Sequence, residues 1–187
     1  MKNDIRYIKN EERIKSAFKS MVEEMNFEDI TVKELTKRAN INRKTFYLHY
    51  SSIDDLLKCI QMELTNEYLE RVKDLDIFED YYELTKVFYT FHEEKGLFCE
   101  KLTCDPTYDN VRNQLINGVE SQHTKSDVVK NMNKDKSNII YNFINETTIS
   151  IYRSWIRSGK SISVDEMIEL NYKLVIEGLN GIIKGTK

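Results

Sequence analysis

Apolar residues recur at intervals of three and four, the period of an α-helix, in one segment after another. Ile14, Phe18, Met21, Val22 and Met25 form the first stripe, with Lys, Glu and Ser between them, and predict a helix from about Ile8 to Met25. Asn26-Phe27-Glu28-Asp29 ends it. Thr31-Val32-Lys33-Glu34 then reads as a capping box, with the hydroxyl taking one orphan amide and Glu34 reaching back for another. The helix it opens is short, Val32 to Ala39, and turns Leu35 and Ala39 inward. Asn40-Ile41-Asn42 makes a turn, in which Asn40 tolerates the left-handed conformation and Asn42 caps the next helix. That third helix, also short, covers Arg43 to about His49. Ser51-Ser52-Ile53-Asp54-Asp55 is another start signal, with its acids where the helix dipole favours them. The long helix it opens carries Ile53, Leu57, Ile60, Leu64, Tyr68, Val72 and Leu75.

Past Asp76 the stripes become aromatic. A helix is predicted from about Glu79 to Glu93, stopping at Gly96, and a short one from Leu97 to Leu102, broken by Asp105-Pro106. Another is predicted over about Tyr108 to Gln122, and a polar connection over Thr124 to Lys136. Two helices close the pattern. One spans about Asn138 to Arg157, and Ser158-Gly159-Lys160 turns the chain. The other starts at the capping box Ser163-Val164-Asp165-Glu166 and carries Met167, Ile168, Leu174, Val175, Leu179, Ile182 and Ile183. The expected fold class is all-α.

Composition supports this and removes several function classes. With 187 residues, 40% apolar and 32% charged, the chain is expected to bury a core without metals or disulfides. Six glycines and one proline are too few for a β-sandwich or barrel. None of the glycines falls in a spacing that cradles phosphates, so Walker-type and Rossmann-type sites are excluded. No apolar run reaches a membrane span. Met1 to Arg6 lacks the apolar stretch of a secretion signal, so the cytoplasm is the expected compartment and no membrane partner is expected. Three cysteines, without a CxxC, fit a reducing environment; Cys99 and Cys104 are read as small buried hydrophobes rather than metal ligands or a redox pair. No catalytic constellation, metal site or cofactor site is predicted.

Two short helices joined by a three-residue turn, between longer supports, have the layout of a helix-turn-helix. The second helix presents donors in Arg43, Lys44, Thr45, Tyr47 and His49, while Phe46 and Tyr50 are expected to point inward. The stretch from Ile30-Thr31-Val32-Lys33-Glu34-Leu35 through Arg43-Lys44-Thr45-Phe46-Tyr47-Leu48-His49-Tyr50, continuing to Leu56-Leu57, resembles the signature of the TetR family of bacterial transcriptional regulators. The resemblance covers roughly the first third of the chain. It implies that Arg43, Lys44 and Thr45 begin the recognition helix and read bases. It also implies that Tyr47 and His49 hold phosphates and that Thr31 opens a helix abutting the DNA backbone. Where many relatives carry Lys, this chain has Ile53, and Lys58 one turn on stands in as a backbone contact.

Charge leans the same way, but only slightly. Residues 1–58 hold twelve Lys and Arg against ten Asp and Glu, whereas residues 59–187 hold sixteen against twenty-one. Affinity for DNA is therefore expected to come from local placement and dimerisation rather than a broad basic field.

The expected division is a helix-turn-helix DNA-binding domain over residues 1–52, linked through the helix 53–75 to a regulatory and dimerisation domain over 53–187. A symmetric homodimer on double-stranded DNA with a pseudo-palindromic operator follows from the geometry of two half-sites. The last two helices are the expected interface, through Ile151, Trp155, Leu174, Gly178, Gly181 and Ile182. Tyr81, Tyr82, Phe88, Tyr89, Phe91, His92, Phe98, Tyr108, Tyr141 and Trp155 either line a cavity for a small apolar or aromatic effector or simply fill core and surface. The function read from the sequence is a DNA-binding regulator, a repressor released by such a ligand, and not an enzyme. The alternatives are a relative without a small effector, acting architecturally or through a protein partner, and an all-α carrier or enzyme.

Overall fold

Seven α-helices, two single turns of 3-10 helix and one π turn make up the regular structure of residues 5–108 and 133–178, which a computed structural model of the chain describes. No strand occurs among the described residues, in agreement with the all-α expectation. The helices are α1 (Ile5–Glu24), α2 (Val32–Arg38), α3 (Arg43–His49), α4 (Ile53–Val72), α5 (Tyr81–Cys104), α6 (Lys134–Arg157) and α7 (Val164–Tyr172), and the π turn is Lys173–Glu177. The helix expected over Tyr108 to Gln122 lies outside the described residues except at Tyr108, and most of the polar connection after it lies outside as well. Gly181, Ile182 and Ile183 also lie outside them.

Two compact units divide the chain, and they do not coincide with the division at residues 52 and 53. The first takes the chain up to Asn66 and resumes at Gly96; the second takes Glu67–Lys95 and the C-terminal part. The reason is where the apolar faces go. Leu56, Leu57 and Ile60 of α4 join the cluster built by Ile14, Phe18, Met21, Leu35 and Phe46, and so do Phe98, Leu102 and Tyr108 from beyond Gly96. Gly96 permits the redirection. At φ 67 and ψ −156 it kinks α5, in a left-handed region that disfavours any residue with a Cβ.

Within the first unit, ion pairs lace the helices over the apolar cluster. Lys15 lies 2.8 Å from Glu11 and 2.5 Å from Glu63, joining α1 to α4. Arg38 donates to Glu24 at 2.7 Å and to Ser20 at 2.8 Å, joining α2 to α1. The Lys101 ammonium closes the end of α1 by donating to the Val22 and Glu23 carbonyls at 3.0 and 2.8 Å.

The second unit is aromatic. Phe88, Tyr89, His92, Tyr152 and Trp155 pack edge-on or tilted, with the His92 ring 4.3 Å from Phe88 and 4.7 Å from Tyr152. A polar thread runs beside them. Tyr81 donates to Asn171 at 2.9 Å, and Asn171, fully buried, donates to Tyr89 at 3.3 Å. The Tyr81 hydroxyl also lies 2.8 Å from the Thr148 hydroxyl, so α5, α6 and α7 meet at one satisfied network. α6 ends in a Schellman motif. Gly159 is left-handed at φ 72, Lys160 N–H bonds the Trp155 carbonyl at 3.0 Å and Gly159 N–H bonds that of Ile156 at 3.0 Å. At the start of α7 both halves of the Ser163–Glu166 capping box form. Ser163→Ala is expected to lower stability by about 1 kcal/mol in urea unfolding.

Burial among these rings pushes the His92 imidazole down to about 4, against an ordinary 6.5. An unfolded chain therefore binds a proton between those values that the folded chain refuses. The resulting stability is complete above pH 6.5 and is lost as the pH falls toward 4, by up to about 3 kcal/mol at 1.36 kcal/mol per pH unit. Unfolding free energies measured across that range should show this slope, and His92→Phe should flatten it.

Candidate nucleic-acid interface

Helix α3 has seven residues, too few to persist without tertiary support. Its position comes from one side chain and two caps. Phe46 is completely buried in the first cluster, with Tyr50 buried four residues on. The turn before α3 is a second Schellman motif with asparagine in the left-handed place. Asn40 has φ 53, Ile41 N–H bonds the Thr36 carbonyl at 3.0 Å and Asn40 N–H bonds that of Lys37 at 3.2 Å. Ile41 packs against the cluster beneath. Asn42 then caps α3: its side-chain oxygen accepts from Thr45 N–H at 2.7 Å and from the Thr45 hydroxyl at 3.0 Å.

With Phe46 inside, the opposite arc faces outward. Arg43, Lys44, Tyr47 and Leu48 are all exposed, and at helical spacing they share one face. Tyr47 stands edge-on to Phe46, with ring centroids 5.4 Å apart. The remaining sequence candidates are placed differently. Thr45 is half-buried and its hydroxyl is engaged by Asn42. His49 is half-buried and stacks on Tyr7 of α1, with centroids 3.9 Å apart and planes at 29°. Its Nδ1 is buried without a hydrogen-bond partner, and burial holds its pKa below the usual histidine value. Thr31 is exposed at the N-cap of α2, accepting from Glu34 N–H at 3.2 Å. The Glu34 carboxylate accepts from the Thr31 hydroxyl at 2.8 Å. Lys58 is exposed on α4.

Sequence reasoning missed Tyr7 and Glu11, which support the end of α3 from α1. Glu11, held low by its hydrogen bond from Lys15, accepts from the Tyr50 hydroxyl at 3.4 Å. The only sequence signal was that positions 7, 11, 14 and 18 share the inner side of α1, a stripe the apolar pattern alone stops at Ile14. Leu48 was also missed.

The aromatic candidates are distributed over both units. Tyr81 and Tyr141 line a cavity of about 80 Å³ with Tyr68, Val72, Ile77 and Leu84. Phe88, Tyr89, His92 and Trp155 belong to the packed cluster beside it. Phe91 packs 5.6 Å from Tyr68, under the Arg71 guanidinium at 4.9 Å. Tyr82 is exposed, edge-on to Tyr172 at 5.6 Å. Phe98 and Tyr108 sit in the first unit, 6.5 Å from Phe18 and 5.5 Å from Phe27. Of the interface candidates, Ile151 is half-buried, Trp155 is buried with its ring N–H on the Ile162 carbonyl at 2.9 Å, and Leu174 and Gly178 are exposed. A Cβ at Gly178 would meet nothing within 4 Å. Gly181 and Ile182 lie outside the described residues.

Among the described residues no helix is long and apolar enough to cross a membrane, and no group of three or more His, Cys, Asp or Glu is placed to hold a metal ion.

Residues 16–60, which contain the whole helix-turn-helix, match the family described as bacterial regulatory proteins, tetR family. No curated protein matches the chain. Several solved structures share its fold. A fatty acid degradation regulator, FadR, from Bacillus halodurans superposes with a TM-score of 0.70 at 13% identity, over 91% of this chain and 96% of that one. A TetR transcriptional regulator from Streptococcus agalactiae gives 0.66 at 21% identity, over 91% and 95%. A regulator of the same broad family from Aquifex aeolicus gives 0.59 at 22% identity, over 92% and 99%. Residues 16–60 are thus similar to the tetR family of bacterial regulatory proteins, and the chain has a fold that solved transcriptional regulators share.

Proposed function

We propose that the protein is a dimeric, sequence-specific DNA-binding repressor, released from a pseudo-palindromic operator by a small apolar or aromatic ligand held in the second unit. The observation that carries the reading is the outward face of α3, where Arg43, Lys44 and Tyr47 project from a helix fixed on its other side by Phe46. Arg43 and Lys44 address guanine acceptors in the major groove, and Tyr47, Thr31 and Lys58 hold phosphates. Thr45 and His49 act from behind, through the Asn42 cap and the Tyr7 stack.

Dimerisation is supported by apolar pairs left exposed one turn apart, Ile139 with Phe143 on α6 and Leu170 with Leu174 at the end of α7. Two copies of such a helix pair make a four-helix interface. The ligand is supported by the largely apolar and aromatic cavity that Tyr68, Tyr81 and Tyr141 line with Val72, Ile77 and Leu84. That cavity, about 80 Å³, also favours a second reading. Sites for drug-sized molecules run to roughly 300 Å³ or more, so a regulator without a small effector is consistent with so small a space.

Three measurements test the proposal. Arg43→Ala should weaken binding to a selected operator by about 1–3 kcal/mol and relax base preference, whereas unchanged preference would remove Arg43 from base readout. Leu174→Glu should give monomers in sedimentation, and a surviving dimer would move the interface elsewhere. Fatty acids of graded length and simple phenols should raise the melting temperature and release DNA together. If none of them does either, the second reading stands.

A further inference from the structure

Leu48 is 68% exposed, beside Tyr47 at 57%. It lies one turn beyond Lys44, as Tyr47 lies one turn beyond Arg43, so four side chains occupy one outward arc. Single exposed leucines are ordinary on protein surfaces, and exposure alone assigns nothing. The setting of this one is different. Its neighbours on the arc are two cations and a phenol, and the residue that anchors the helix, Phe46, is buried on the other side.

We propose that Leu48 is a specificity-determining residue that selects thymine by its C5-methyl group. The inference rests on the DNA-binding reading of α3. Base edges in the major groove present hydrogen-bond acceptors, amino donors and a single kind of apolar group, the thymine methyl. Arg43 and Lys44, donors only, match the acceptors, while Tyr47 is engaged with phosphate. A leucine matches only the methyl: against an amino group or a ring nitrogen it displaces water and returns no hydrogen bond, whereas against the methyl both partners leave water together. The occupant of this apolar spot follows from its continuity with Arg43 and Lys44, whose charge suits a groove walled by phosphates.

The test uses the full chain and duplexes selected from a random pool. Each thymine of the half-site is replaced in turn by deoxyuridine, which keeps base pairing and removes only the methyl, and affinities are measured for the native chain and for Leu48→Ala. At one or two thymines the replacement should weaken native binding about fourfold, the worth of one buried methyl. Leu48→Ala should abolish that sensitivity while its melting temperature stays unchanged, since the side chain is exposed. Half-sites without a shared thymine would overturn the proposal. So would native binding indifferent to every methyl, or a sensitivity undiminished in Leu48→Ala. A chain that binds no duplex at all sinks the DNA reading itself; tight, selective binding that is blind to methyls sinks only the role of Leu48.

Discussion

Everything outward on α3 depends on the burial of Phe46. A seven-residue helix forms few internal hydrogen bonds, and nucleating it alone is unfavourable. Inserting Phe46 into the cluster of Ile14, Phe18, Leu35 and Leu56 supplies what local propensity does not. Burying a side chain of that size contributes about 2–3 kcal/mol, and emptying the site costs more because the pocket cannot fully close. The same insertion fixes the rotation of the helix. Once position 46 points inward, positions 43, 44, 47 and 48 have no direction left but outward. The Asn40 turn and the Asn42 cap then fix where the helix begins, so one apolar contact and two asparagines determine both its tilt and its register.

The second unit achieves rigidity by other means. Its helices converge on the hydroxyls of Tyr81, Tyr89 and Thr148 and on the amide of Asn171, all within hydrogen-bond reach. Such a network adds little net stability, because each group surrendered comparable bonds to water. What it does is penalise alternatives. Any rearrangement of α7 that withdraws Asn171 leaves polar groups stranded among aromatic rings, at roughly 1–3 kcal/mol each. The π turn begins two residues later at Lys173, so the irregular segment is tied at its N-terminal end by this amide.

Much of this was legible in the residues, and the remainder has a physical pattern. The limits of α3, the left-handed Asn40 and the complete box at Ser163 are local events, decided by a few side chains and the adjacent backbone. The box at Thr31 has the same spacing in sequence yet forms only in part: Thr31 accepts from Glu34 N–H, and the Glu34 carboxylate bonds the Thr31 hydroxyl, whereas at Ser163 the Glu166 carboxylate bonds both the hydroxyl and the backbone N–H. Long-range partnerships were not readable. Nothing near Tyr7 announces that it stacks on His49, forty-two positions away, or that Phe98 and Tyr108 return to the N-terminal cluster. Periodicity reports that a face is apolar; it does not report which other face covers it. The redirection at Gly96 decided that question for residues 96–108, and the sequence signalled a break there without its destination.

The distribution of charge bears on how such a face would meet DNA. The first 58 residues carry an excess of only two positive charges, too small for a long-range basic field. Part of the positive charge is, moreover, neutralised internally: Lys15 is engaged by Glu11 and Glu63, and Arg38 by Glu24. Those pairs hold α1 against α2 and α4 and leave little of their charge for a distant phosphate. Arg43 and Lys44 differ, having no carboxylate partner among the described residues, and they stand on a helix anchored by Phe46 and the Asn42 cap. Cations on a rigid support and a weak surrounding field favour discrimination between sequences over indiscriminate attraction to the phosphate backbone. On the proposed reading, affinity must then come from doubling the contact through a second copy, which makes the exposed apolar pairs on α6 and at the end of α7 as necessary to DNA binding as the donors on α3.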